Sequence, residues 1–240
     1  MPGRWSAAGR EALALARQAT LLHRDLASVV PNVAPGEDLV LLVHGFLATA
    51  GVLRPLGEAI ARDTGARIAS FTHPPGVSVR DIAERIGDVV RRLPRVPLRI
   101  HLVGHSVGGL SARYYVCVLG GDPRVVGTIA IASPSGGTRR AIGLPGSLMR
   151  DLTPESELLT CLRGKESHVP HLSIAGDRDR VVGAGGCLAG TDALVIEGAA
   201  HNSIVYDPRT ERAVVARIRA AQAASASRDA SPTDDVDLDR

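Results

Sequence analysis

GHSVGG, residues 104–109, follows the apolar run LRIHLV at 98–103 and precedes a helix-like stretch over 110–118. A serine between glycines, set where a strand gives way to a helix, is an arrangement with a chemical use. A serine hydroxyl is a poor nucleophile at its free pKa and needs both an exposed position and a base. A sharp strand–turn–helix raises the oxygen of Ser106 above the sheet edge, and small residues at Gly104 and Gly108 permit so tight a turn. The helix that follows aims its free N–H groups at developing negative charge. A phosphate-binding loop is the rival reading, but no GxxxxGK[ST] pattern is present.

Working outward, the pattern around this turn is a βα alternation. Apolar runs at 38–43, 67–71, 98–103, 125–131, 172–175 and 194–196 predict strands. They are continuous rather than alternating, as suits strands buried on both faces of a parallel sheet. Helical patterns at 52–62 and 79–93 lie between them, the second opening on Ser78 and Asp81 as a capping box. Asp207-Pro208 signals the start of a last helix. The fold class is α/β: a mostly parallel central sheet with helices on both faces.

An acid and a histidine should follow the serine in chain order. After the strand at 172–175 comes GDRDRVV, which offers Asp177 and Asp179. Asp179 is favoured as the acid, with Asp177 shaping the turn. After 194–196 comes EGAAHNSIVYDP, which places His201 in a loop at the same sheet edge. His101, His105, His168 and His171 are poorer candidates for the base. His101 lies within a strand, and His105 is directed away by the elbow to hold neighbouring loops. Two oxyanion donors are expected, the N–H of Val107 and that of Phe46 in LLVHGF (41–46), with His44 bracing the loop.

Composition narrows the partners. The 240 residues suffice for one full core. Net charge is +3, from 28 basic and 25 acidic residues, and aromatics are 2%, so a nucleic-acid partner is not expected. Cys117, Cys161 and Cys187 have no metal-like spacing. Three free thiols in a reducing compartment is the plainer reading; a Cys161–Cys187 disulfide is the alternative if the protein is exported. Residues 1–30 lack a continuous apolar segment of the signal-peptide kind, and no run reaches the roughly 18 apolar residues of a membrane span. A cytoplasmic location is the default.

Residues 1–37 read as an N-terminal helix, over 7–30, and a linker. The apolar stripe of that helix should pack against the main domain, with peripheral membrane contact as the sharper alternative. The domain proper covers 38–220. Its stretch 135–169 is open to two readings, a long crossover or a cap over a pocket. Residues 221–240 read as a disordered acidic tail.

The motifs HGF, GHSVGGLSARYY, IASPSGGT, DLTPES, GDRDRVV and GAAHNSIVYDP stand in the order found in α/β-hydrolases. Together they resemble the bacterial triacylglycerol lipase and esterase branch of that superfamily over 38–220. The resemblance implies Ser106 as nucleophile, Asp179 as acid and His201 as base, with Phe46 and Val107 at the oxyanion positions. It implies an ester or lipid as the small-molecule substrate and no metal or organic cofactor. Ser135 departs from the pattern, since many relatives carry histidine there. An acyltransferase, thioesterase or amidase using the same serine is the rival chemistry, and a non-catalytic lipid- or protein-binding scaffold is the rival class.

Overall fold

The computed structural model describes residues 6–229. Six strands form one fully parallel sheet: β1 Asp38–Val43, β2 Arg67–Phe71, β3 Arg99–His105, β4 Val125–Ile131, β5 His171–Gly176 and β6 Asp192–Ile196, in the order β2-β1-β3-β4-β5-β6. The helices are α1 Ala7–Leu21, α2 Arg54–Thr64, α3 Val79–Arg92, α4 Val107–Cys117, α5 Ser147–Leu152, α6 Glu157–Arg163 and α7 Pro208–Asp229.

The continuous apolar run of β1 is explained by two cores. Leu39, Leu41 and Val43 face one side, against α3 and α4 residues such as Ile82, Ile86 and Leu110. Val40 and Leu42 face the other, with Leu56 and Ile60 of α2 and Val214 and Ile218 of α7. Side chains alternate across a strand, so only a strand covered twice can be apolar at every position. The capping box forms as expected, with Asp81 N–H donating to Ser78 Oγ at 3.0 Å and Ser78 N–H to Asp81 Oδ2 at 3.1 Å. Thus the predicted sheet, its strand positions and its two helical layers are observed.

β1 is followed on one side by β2, after which the chain crosses to β3 on the other. The carboxyl ends of β1 and β3 therefore lie side by side, with Val43 paired to Gly104. An open α/β sheet leaves its crevice at such a switch point. His44 to Phe46 continue from one strand and Ser106 from its neighbour.

Three expectations need correction. The N-terminal helix stops at Leu21 instead of 30, because the chain is then drawn onto the sheet edge. Asp25 pairs with Arg54 at 2.8 Å, and Val29 exchanges backbone hydrogen bonds with Ser70 of β2. Its apolar stripe does not pack inward either: Ala14 is its one buried residue, and Leu13 is 63% exposed. Finally, α7 runs on to Asp229, well into the segment read as a disordered tail. Alanine is the strongest helix former, and the alanine-rich 220–226 carries the helix forward. Gln222 pins it by donating to Asp38 Oδ2 and to the Thr64 carbonyl. The remainder of that tail, 230–240, lies outside the described residues.

The 135–169 stretch holds α5 and α6, whose Leu148, Leu152, Leu159 and Leu162 are buried in the α3/α4 core, while Ile142 and Leu144 stand exposed. The three cysteines are free thiols. Among the described residues no helix is long and apolar enough to cross a membrane, and no group of His, Cys, Asp and Glu side chains is placed to hold a metal ion.

Candidate active site

β3 ends at His105 and α4 begins at Val107, so one residue makes the whole turn. That residue, Ser106, has φ 54° and ψ −125°, a conformation side chains other than glycine rarely adopt. Such strain costs roughly 1–3 kcal/mol and persists only where the surroundings fix it. Here they do: Ser106 N–H donates to the Ile131 carbonyl of β4 at 2.8 Å. The turn also demands bare backbone around it. A Cβ on Gly104 would run into Gly108 and Gly109, and one on Gly108 into the Val43 and His44 carbonyls. The Ser106 side chain makes no capping hydrogen bond to α4. As the first residue of the helix, Val107 has no intrahelical acceptor for its N–H.

The turn leaving β5 carries both candidate acids, and geometry separates them. Asp177 Oδ1 accepts from Gly198 N–H at 2.5 Å, tying the β5 and β6 exits together. Asp179 Oδ2 meets His201 Nδ1 at 2.8 Å, while its Oδ1 accepts the N–H groups of Val181 and Val182 at 2.8 and 3.0 Å. Burial pushes the Asp179 carboxyl up, but the bonds from His201 and from these amides outweigh it and hold it below the usual carboxylate range. With Nδ1 committed to Asp179, Nε2 is the ring nitrogen of His201 left for other work.

His105 lies beside His201 with its Nε2 3.0 Å from the His201 carbonyl. Burial first, and the neighbouring His201 second, pull its pKa down to about 3. It is therefore a neutral brace of the loop that carries His201, although the elbow does not turn it away from the site. His44 has the same character. Its Nδ1 donates to the Gly45 carbonyl at 2.8 Å, its Nε2 accepts from His73 N–H at 3.0 Å, and the two rings stack 3.9 Å apart. Burial brings its pKa to about 3. The loop after β1 is thereby fixed up to Phe46.

These pieces open on one cavity of about 370 Å³, lined by Ser106, His201 and Phe46 and by apolar side chains that include Leu144, Met149 and Leu152. That volume lies within the roughly 300–1,000 Å³ of small-molecule sites. Ser106 and His201 are each 9% exposed, through this opening. No hydrogen bond joins them here; free enzymes often hold such a pair apart until substrate arrives. So of the residues singled out in the sequence, Ser106, His201 and Phe46 share the cavity, Asp179 stands behind His201, and Val107 is one residue past the serine. His101 belongs elsewhere: it meets Asp38 at 3.0 Å, far down β3.

Sequence reasoning missed Leu15, Gln18 and Glu11 of α1. The first two line the cavity and the third is bonded to the residues after His201. No local spacing could have signalled contacts across some 190 residues.

No family model matches the chain, and no curated protein matches it. Solved structures do match. The lipase of Bacillus licheniformis in its mature form is 14% identical, with 74% of this chain and 91% of that one covered at a TM-score of 0.57. A hyperthermophilic esterase from the archaeon Pyrobaculum calidifontis is 17% identical over 90% and 92% of the two chains, with a TM-score of 0.58. A metagenomic carboxyl esterase is 17% identical over 81% and 78%, at 0.60. Likeness at such identity establishes the architecture: this chain has the α/β-hydrolase fold. What it does with that fold has to be argued from its own residues.

Proposed function

We propose that the protein is a serine hydrolase that cleaves carboxylic esters through an acyl-enzyme. The observation that carries this is His201, bonded through Nδ1 to Asp179 at 2.8 Å and lining the apolar cavity that Ser106 also lines. In this reading His201 Nε2 takes the Ser106 proton as the oxygen attacks the ester carbon. The oxyanion is held by the N–H groups of Val107 and Phe46, and a single such donor is worth roughly 3–4 kcal/mol of transition-state stabilisation. His201 then gives its proton to the leaving alkoxide and activates the water that frees the acyl group, while Asp179 fixes the ring tautomer. The apolar lining favours a hydrophobic acyl chain. The known esterases and lipases sharing the fold add to this reading.

An acyltransferase, thioesterase or amidase would use the same groups, and matched ester, thioester and amide substrates separate them. The decisive experiment is intact-mass labelling with a fluorophosphonate beside hydrolysis of p-nitrophenyl esters from C2 to C16. One adduct, lost in S106A, and turnover lost in both S106A and H201A are expected. Equal hydrolysis by the wild type and both variants would sink the proposal.

A further inference from the structure

α1 is held to the body of the protein by its polar side chains. The Glu11 carboxylate accepts from Asn202 N–H at 2.9 Å, from Ser203 N–H at 2.9 Å and from the Asn202 side-chain amide at 2.7 Å. Gln18 Nε2 donates to Asn202 Oδ1 at 3.1 Å, Arg10 to the Gly198 carbonyl at 2.6 Å, and the Arg17 guanidinium lies 4.5 Å over the Tyr206 ring. Every one of these partners belongs to residues 198–206, the loop between β6 and α7 that carries His201. The helix meanwhile turns Leu13 to solvent and sets Leu15 at the cavity mouth.

The two amides that follow His201 in the chain are thus both tied to one carboxylate. A charged acceptor makes shorter and stronger hydrogen bonds than a neutral one. Bonds placed there fix the backbone just after the residue from which the imidazole projects. We propose that Glu11 is a positioning residue for His201, so that α1 completes the candidate active site instead of merely covering it. This inference rests on the serine hydrolase reading.

Glu11→Gln tests it, because glutamine keeps the shape but offers one acceptor oxygen where three donors converge. Glu11→Ala removes the contact altogether, and Glu11→Asp keeps the charge on a shorter stem. A displaced catalytic group costs on the order of 10²-fold in rate. Glu11→Ala should therefore lose about 10- to 100-fold in kcat with KM little changed, and Glu11→Asp should recover part of it. Amide hydrogen exchange over 199–206, measured on the same full chains, should quicken at least tenfold in Glu11→Ala, with the rest of the chain protected as before. Unchanged kcat with unchanged exchange overturns the proposal. So does a fall in kcat shared with a global loss of protection, which would make Glu11 a simple anchor. If the wild type has no Ser106-dependent turnover, the hydrolase reading fails by itself. The exchange measurement then decides whether Glu11 orders the loop, and unaltered protection refutes it.

Discussion

His105 and His201 are joined side chain to main chain, with His105 Nε2–H donating to the His201 backbone oxygen across 3.0 Å. The bond assigns the tautomer of the first ring and holds the main chain of the second. Replacing His105 by phenylalanine keeps a planar ring, larger than imidazole, and deletes the donor. A buried acceptor left unpaired costs about 1–3 kcal/mol. Urea denaturation should show a loss of that size, with kcat lower and fluorophosphonate labelling slower. A variant as stable and as fast as the wild type would show that the bond holds nothing.

Stability should be acid-sensitive in a window that the buried histidines define. His105 and His44 are held to about 3 and His171 to about 4, in each case chiefly by burial. Between those values and the ordinary histidine range near 6.5, the unfolded chain binds protons that the folded one refuses. Folding stability is therefore fully present above about pH 6.5 and falls as the pH drops through this range. Asp38 acts in the same direction lower down. Burial would raise its pKa, but bonds from His101, Arg99 and Gln222 hold it well below the usual carboxylate value, so its contribution fades as the pH falls below about 4. Denaturation series from pH 3 to 8 should rise and level off. His44→Phe and His171→Phe should each flatten the slope, and a profile flat from pH 4 to 7 would contradict the assignment.

Asp179→Asn keeps the shape of the acid and removes its charge. In a Ser-His-Asp site that exchange costs about 10⁴-fold in kcat, because the imidazole is left in the wrong tautomer. The same change at Asp177, whose carboxylate accepts from Gly198 N–H, should leave kcat within a few-fold. Steady-state kinetics on the two variants distinguish the acids, and equal losses would remove Asp179 from its proposed role.

Gly108→Ala places a methyl group against the Val43 carbonyl, where backbone would have to move. Overpacking of this kind costs about 1–3 kcal/mol. The displaced strand also carries the His44–Phe46 loop, so activity should fall together with the melting temperature. A control at Gly143, where an added Cβ meets nothing but φ is +79°, should lose less stability and keep its kcat.

Cavity shape should govern chain-length preference. Met149 is half-buried and lines the cavity that Ser106 and His201 also line. Met149→Trp fills part of that space and should move the best p-nitrophenyl ester toward shorter acyl groups, with the C2 ester hydrolysed nearly as before. An unshifted optimum would place the acyl chain elsewhere.

What could be read from the sequence follows physical locality. β1 was legible because six consecutive buried residues leave no other reading, and α3 because its capping box lies within four residues. Ser106, Asp179 and His201 could be picked out as candidates because each follows a strand at the same end of a parallel sheet. The leucines of α1 misled: periodicity reports that one face is apolar, not that this face is buried, and the anchoring falls to Glu11 and Gln18 instead. The end of α7 misled in a different way. A composition rich in alanine, serine and aspartate suggested disorder, but alanine is also the strongest helix former, and the alanines around Gln222 carried the helix further.

The strand order has a consequence for the growing chain. The β1 loop, the serine, the aspartate and the histidine come from four different stretches, at 44–46, 106, 179 and 201, which follow four of the six strands. Synthesis delivers them in that order, and chains of this size commonly pass through partly folded forms. On the serine hydrolase reading, a nascent chain halted between residues 106 and 201 has its serine at hand and no base to arm it. On that reading reactivity arrives with the final strand and helix, and incomplete or misassembled copies would be inert toward esters.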